Sequence, residues 1–207
     1  MRVLFRLIEI VLIAAVAGIG VLAVSFWLSQ GEMIERAQQE GGALHGPISN
    51  DPLSLAERAI VIDEFSQSWG TEGVPCRTAA LVWADIAGSG APPTPVSQRL
   101  ASMLLSNQHG ASVRWQLSRL VIACQLEQRF DDTQMLRAWL SKLNFGHNIS
   151  GVDDAAQAIF GEAVDKLDAE ESAKLAALVR NPGLRDHPDL WAQRAQAIVV
   201  KMAARAQ

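Results

Sequence analysis

From Ile10 to Leu28 the chain runs nineteen residues without a charge. At 1.5 Å rise per residue, a helix of that length covers roughly 28 Å, close to the ~30 Å hydrocarbon core of a bilayer. Arg2 and Arg6 precede the run, and Glu32, Glu35 and Glu40 follow it. Basic residues stay on the cytoplasmic side, so the remainder of the chain is expected outside the cytoplasm. Phe26 and Trp27 stand where an interfacial aromatic belt forms. A cleavable signal peptide is the alternative, with Ala23-Val24-Ser25 as its small-residue site. The apolar run is longer than an ordinary signal core, which favours an uncleaved anchor. The sequence therefore predicts three parts: a transmembrane anchor over 1–29, a polar, glycine-containing helical stalk and linker over 30–50, and one domain over 51–207.

The 207 residues suffice for one membrane segment and one domain with a real core. A formal charge of -4 gives no basic signature for nucleic acid, so no nucleic-acid partner is expected. Abundant Ala and Leu favour helix. Four histidines and two cysteines show no zinc-ligand spacing, and no metal site is expected from them. Outside the cytoplasm Cys76 and Cys124 can pair, but sequence does not fix their distance, and two buried thiols remain the other reading.

Past the linker the chain reads as helices throughout. Pro52 suits a helix start, and Ser54 with Glu57 has capping-box spacing ahead of Ala56, Ala59 and Ile60. Residues 70–75 read as a loop and 77–86 as a helix. The stretch Gly88 to Pro95 is too rich in glycine and proline for helix or inner strand. A helix follows over 96–106. In the next, over 112–129, Val113, Leu117, Leu120, Val121 and Cys124 make one apolar face. Trp115, Ile122, Ala123 and Leu126 make another, so the helix is expected to be central and buried. Arg119 projects into that second face and needs a carboxylate partner or a wet groove. Four shorter helices follow. Asp131 or Asp132 caps the first; Asp153 begins the second; Asp168 with Glu171 boxes the third; Pro188 opens the last. No strand pattern competes, and the fold class is all-α.

The run from Leu126 to Leu178 holds a specific order: Leu126-Glu127, Met135 to Leu140, Asn144-Phe145-Gly146, Gly151, Ala155-Ala156, Phe160-Gly161, and Glu171 to Ala176. That order resembles the second half of the peptidoglycan transglycosylases, the family 51 glycosyltransferases. The resemblance covers roughly residues 53–202. It implies a lysozyme-like helical domain carried by an N-terminal anchor at the outer face of a bacterial inner membrane. It also implies a cleft for the growing glycan strand and for lipid II, the lipid-linked disaccharide substrate.

The family's first motif, E-D-x-x-F-x-x-H-x-G, is matched by Phe65 and Gly70. Its general-base glutamate falls on Val61, its aspartate on Ile62 and its histidine on Ser68. Valine accepts no proton. Asp63 and Glu64 lie beside these positions, and a two-residue deletion would set them opposite the acidic pair. They are the catalytic candidates, against a reading as helix-end carboxylates. The second motif, G-G-S-T-I-T-Q-Q-L-x-K-N, retains Ser97, Gln98 and Leu100. Its glycines are Pro92 and Pro93, and its pyrophosphate-holding lysine is Ser102. Arg99 can supply charge there or face solvent.

The third motif, R-K-x-x-E ahead of L-E, falls on Trp115, Gln116 and Arg119. The family's second glutamate, discussed with a divalent metal, is thus an arginine. Arginine repels a metal and attracts phosphate directly, so any divalent cofactor is doubtful here. The alternative for Arg119 is a buried pair with Glu127 or Glu171. The groove expected from the resemblance therefore comprises Phe65, Gly70, Ser97, Gln98, Arg99 and Arg119.

Three functions are compatible with these residues. One is a membrane-anchored transglycosylase-like protein without the usual acids, binding lipid II or glycan or regulating an active synthase. Another is an active lipid II polymerase using Asp63 or Glu64. The third is a structural membrane protein that recruits other cell-wall synthesis proteins.

Overall fold

A computed structural model describes residues 17–32, 34–35, 52–65, 96–105 and 112–205. Helix α1 covers residues 17–32, and 34–35 are helical too. Then come α2 (Leu55–Glu64), α3 (Val96–Leu104), α4 (Val113–Arg129), α5 (Asp132–Leu140), α6 (Val152–Phe160) and α7 (Ala169–Arg180). A 3-10 turn (Pro182–Asp186) leads into α8 (Pro188–Arg205). Among the described residues there is no strand, only an isolated bridge between Asn144 and Ser150. The all-helical expectation holds. Among the described residues no helix is long and apolar enough to cross a membrane; the described part of the uncharged run starts at residue 17.

The helix starts follow the local chemistry. Ser54 Oγ accepts from Glu57 N, and Glu57 returns a bond to Ser54 N at 2.7 Å. The helix opens at Leu55, so Pro52 lies just before the cap instead of in the first turn. Asp131 with Gln134 and Asp168 with Glu171 form the same reciprocal box. Each box satisfies two backbone N–H groups that a helix end otherwise leaves without partners.

Helix α7 is the hub. Ser172, Ala173, Leu175, Ala176, Ala177 and Leu178 are buried between α2 and α8. The small alanines let three helices approach closely, and their burial removes apolar surface from water. Helix α3 packs on α4 and α5. Phe65 at the end of α2 meets Trp139 of α5 edge-on, with ring centroids 5.4 Å apart. This contact ties the two halves of the core together.

Helix α4 departs from the expectation of a central, buried helix. Its C-terminal half is buried from Ile122 to Leu126, but Val113 is 76% and Leu117 49% exposed. Cys124 is disulfide-bonded; the only other cysteine in the sequence, Cys76, lies outside the described residues. The segment read as a stalk begins against the domain: Gln30, Gly31 and Ile34 are buried. Gln125 Nε2 donates to the carbonyl of Trp27 at 2.7 Å, which joins α1 to α4.

Candidate functional site

The last turn of α2 brings Asp63 and Glu64 onto the domain's core side, followed by buried Phe65. Neither carboxylate is open to solvent: their side chains are 0% and 2% exposed. Lys201 Nζ lies 2.7 Å from Asp63 Oδ1, and Arg194 Nη2 donates to Asp63 Oδ2. Arg99 Nη1 lies 2.7 Å from Glu64 Oε2, and Arg180 Nε donates to Glu64 Oε1. Arg180 also donates to the Asp63 carbonyl at 3.0 Å. The hydrogen bond to Glu64 raises the Arg180 pKa and keeps the guanidinium protonated. Two buried carboxylates are thus held by four cations drawn from α3, α7 and α8. A buried charge is tolerable only with such partners. A third acid of the same helix, Glu57, is also engaged, with Arg137 Nε 3.3 Å from its Oε1.

Arg99 is neither a solvent-facing residue nor an unengaged cation. Besides pairing with Glu64, its guanidinium lies over Phe65 and Trp139, at 5.0 and 5.5 Å from the ring centroids. A planar, weakly hydrated guanidinium suits that stacked position. Its Nε is buried without a hydrogen-bond partner. Ser97 and Gln98 are buried beside it, and Ser97 Oγ donates to Glu127 Oε1 at 2.6 Å.

Arg119 lies apart from that cluster in its chemistry. Its guanidinium sits over Trp115, 5.3 Å from the ring centroid, and its Nε is buried without a hydrogen-bond partner. Among the described residues it makes no ion pair with Glu127 or Glu171: Glu127 receives Ser97, and Glu171 closes the box on Asp168. Gly70 lies outside the described residues, as do the loop expected over 70–75, the helix expected over 77–86 and the stretch from Gly88 to Pro95.

The structure therefore brings Asp63, Glu64, Phe65 and Arg99 into one contact network. The partners that sequence reasoning missed are Arg180, Arg194 and Lys201. One signal was present: Arg194 and Lys201 are two turns apart, so they share a face of α8. That face meets α2. No periodicity states which buried acid such a pair will meet.

A transglycosylase family model matches residues 57–203. The chain belongs to the transglycosylase family. This transglycosylase-family chain is 29% identical over 177 residues to a biosynthetic peptidoglycan transglycosylase of Alcanivorax borkumensis, covering 82% of the chain and 72% of that relative. It is 24% identical over 187 residues to a biosynthetic peptidoglycan transglycosylase of Paraburkholderia phytofirmans, covering 87% and 78%. It is also 24% identical over 159 residues to penicillin-binding protein 2a of Streptococcus pneumoniae, covering 73% of the chain but 21% of that longer protein. The chain thus spans only about a fifth of such a penicillin-binding protein.

A divalent metal of the kind the resemblance raised does not fit the residues present. The expected ligand position is the cation Arg119, and among the described residues no three His, Cys, Asp or Glu side chains converge. No chemical step is derived through a metal.

Proposed function

We propose that this protein is a membrane-anchored, transglycosylase-like component of bacterial cell-wall synthesis that lacks the proton-transfer machinery of its family. In this reading residues 1–29 anchor it in the inner membrane, 30–50 connect, and 51–207 stand outside the cytoplasm. It binds lipid II or glycan strands, or regulates an active synthase.

One observation carries the reading. A general base needs an available lone pair within hydrogen-bond reach of the acceptor hydroxyl. Val61 offers none, and both oxygens of Asp63 and of Glu64 already face cations. Freeing either carboxylate would break a buried ion pair, at a cost of about 3–5 kcal/mol. That argues against the reading in which Asp63 or Glu64 acts as a displaced base. At the second acid position, Arg119 supplies positive charge in a partly buried setting, which suits a phosphate better than a metal.

The test is a polymerisation assay on the purified full-length chain with lipid II, alongside direct lipid II binding. The expected result is saturable binding with no glycan product. Polymerisation at a rate comparable to an active transglycosylase would overturn the proposal.

A further inference from the structure

Helices α2 and α8 leave a gap that their side chains do not fill. Leu55, Arg58 and Ile62 follow each other at three and four residues, so they share one face of α2. Val199, Met202 and Ala203 share one face of α8 in the same way. Between these faces lies a cavity of about 360 Å³, bordered also by Ala169 of α7. Close packing is the rule between helices, and a space of this size falls in the range of small-ligand sites. Alanine at 169 and 203 is too small to fill it. The lining is apolar except for two guanidinium groups, those of Arg58 and Arg205.

Those two arginines break the pattern of the helix they adjoin. Elsewhere α2 meets cations with acids: Glu57 faces Arg137, Asp63 faces Arg194 and Lys201, and Glu64 faces Arg99 and Arg180. Arg205 stands one turn beyond Lys201 on α8, yet α2 sets another cation, Arg58, at the same cavity. Arg58 Nε donates to the Leu53 carbonyl at 3.0 Å, which holds the guanidinium in place and leaves its Nη groups for a ligand. Among the described residues neither arginine makes an ion pair. The acids flanking Ala169 are engaged: Asp168 caps α7, and Glu170 meets Lys174 at 2.7 Å. Two like charges at one apolar cavity repel each other, and a bound anion relieves that repulsion.

We propose that this cavity binds a single-chain fatty carboxylate, its alkyl tail between α2 and α8 and its headgroup between Arg58 and Arg205. Apolar walls favour the tail by removing its surface from water, and a guanidinium matches a carboxylate in charge and geometry. Met202 suits the tail, because an unbranched thioether adapts to an irregular neighbour. The cavity is too small for a helix about 10 Å across, which argues for one extended chain over an acidic peptide helix. None of its side chains takes part in the Asp63 and Glu64 network, and the site stands whether or not the chain polymerises lipid II. A bound carboxylate would brace the first turn of α2 against the last turn of α8, one turn past the contact of Lys201 with Asp63.

The test titrates the full chain, in phosphatidylcholine nanodiscs and labelled with carbon-13 at the methionine methyls, with sodium laurate below its micelle concentration. Met202 reports on the cavity, and Met202→Leu assigns its resonance; Met103 on α3 and Met135 on α5 report on the rest of the fold. The expected result is a saturable shift at Met202 with Met103 and Met135 unmoved. Decanoate, two methylenes shorter, should bind about tenfold more weakly. Arg58→Gln with Arg205→Gln should weaken laurate binding about tenfold or more, because the charge-assisted bonds to the carboxylate are lost. Both arginines are exposed, and unchanged Met103 and Met135 signals show that this variant is folded. The comparisons of chain length and of charge sign need no variant. The proposal is overturned by the absence of a saturable Met202 shift, by equal binding of dodecylammonium, or by full laurate affinity in the double variant. A Met202 shift from an acidic amphipathic peptide where laurate gives none would overturn it too, in favour of a protein partner.

Discussion

Lys201 Nζ stands 2.7 Å from Asp63 Oδ1, joining two residues 138 positions apart in the chain. With Arg194 on the other oxygen, the last helix grips the end of α2 through a carboxylate that has no exposure of its own. The arrangement is asymmetric. Asp63→Asn leaves two cations that are already 31% and 48% exposed and can turn to water. Removing both cations would strand a fully buried carboxylate. Asp63→Asn is therefore expected to cost about 2–3 kcal/mol, below the cost of an orphaned buried charge. The double substitution Arg194→Met with Lys201→Met is expected to cost more. Urea unfolding of the three proteins checks the order; equal losses would show that Asp63 is not the desolvated partner.

If Asp63 and Glu64 are structural, their isosteric neutralisation changes stability and leaves function alone. Asp63→Asn and Glu64→Gln are each expected to lower the melting temperature while lipid II binding per folded molecule stays within about twofold, a difference of roughly 0.4 kcal/mol. Binding measured below the unfolding transition checks this. A tenfold loss of affinity without unfolding would return these acids to the substrate site.

The helices and most of their caps are legible in the sequence because they are local. Ser54 with Glu57 and Asp168 with Glu171 lie three residues apart, and the bonds form as spaced. Helix α4 shows the limit. Its apolar faces announce that something covers them, but not that Val113 and Leu117 stay open at one end. The candidate site is less legible still. Val61 and Arg119 stand out only against a family pattern. The fate of Asp63 and Glu64 depends on Arg99, Arg180, Arg194 and Lys201, which arrive from three separate helices. Such pairings are set by tertiary packing, which leaves no trace in spacing.

Gly151 precedes α6 at φ +96°, and a Cβ there would come within 3.1 Å of the Ser141 carbonyl oxygen. Gly161 ends the same helix at φ +76° with nothing within 4 Å of a Cβ. Gly161→Ala meets only the left-handed backbone penalty, about 1–2 kcal/mol. Gly151→Ala adds a clash with backbone that cannot swing away, and is expected to cost about 3 kcal/mol or more. Chemical denaturation of the two variants checks the ranking, and an equal cost would mean that the turn yields freely.

Asp168 Oδ1 accepts from both Glu170 N and Glu171 N at 2.8 Å, at the start of the helix on which α2 and α8 pack. Asp168→Ala removes the cap and one negative charge from the helix N-terminus. A loss of about 1–2 kcal/mol is expected. Asp168→Ser should recover most of it, since a hydroxyl caps as well. Comparing the two melting curves separates capping from charge: if serine rescues nothing, the charge dominates.

Asp153 in the first turn of α6 has its carboxyl pKa raised above the ordinary 3.8, by burial first and then by the nearby charges of Glu57, Asp154 and Asp165. The folded state therefore holds this proton to higher pH than the unfolded chain does. By linkage, stability from this group is greatest below pH 3.8 and falls as pH rises through the raised folded value. Asp153→Asn removes that loss. The variant should be the more stable protein at neutral pH, and the advantage should shrink to nothing as pH drops below the ordinary aspartate value. The carboxyl is only partly desolvated and the residue as a whole stays open to water, so screening keeps the gain to a fraction of a kcal/mol, smaller still in high salt. Melting temperatures of both proteins across pH 3 to 8 check the sign. A variant less stable than the parent at neutral pH would mean that the α6 N-terminus draws more from the negative charge than its acidic neighbours take away.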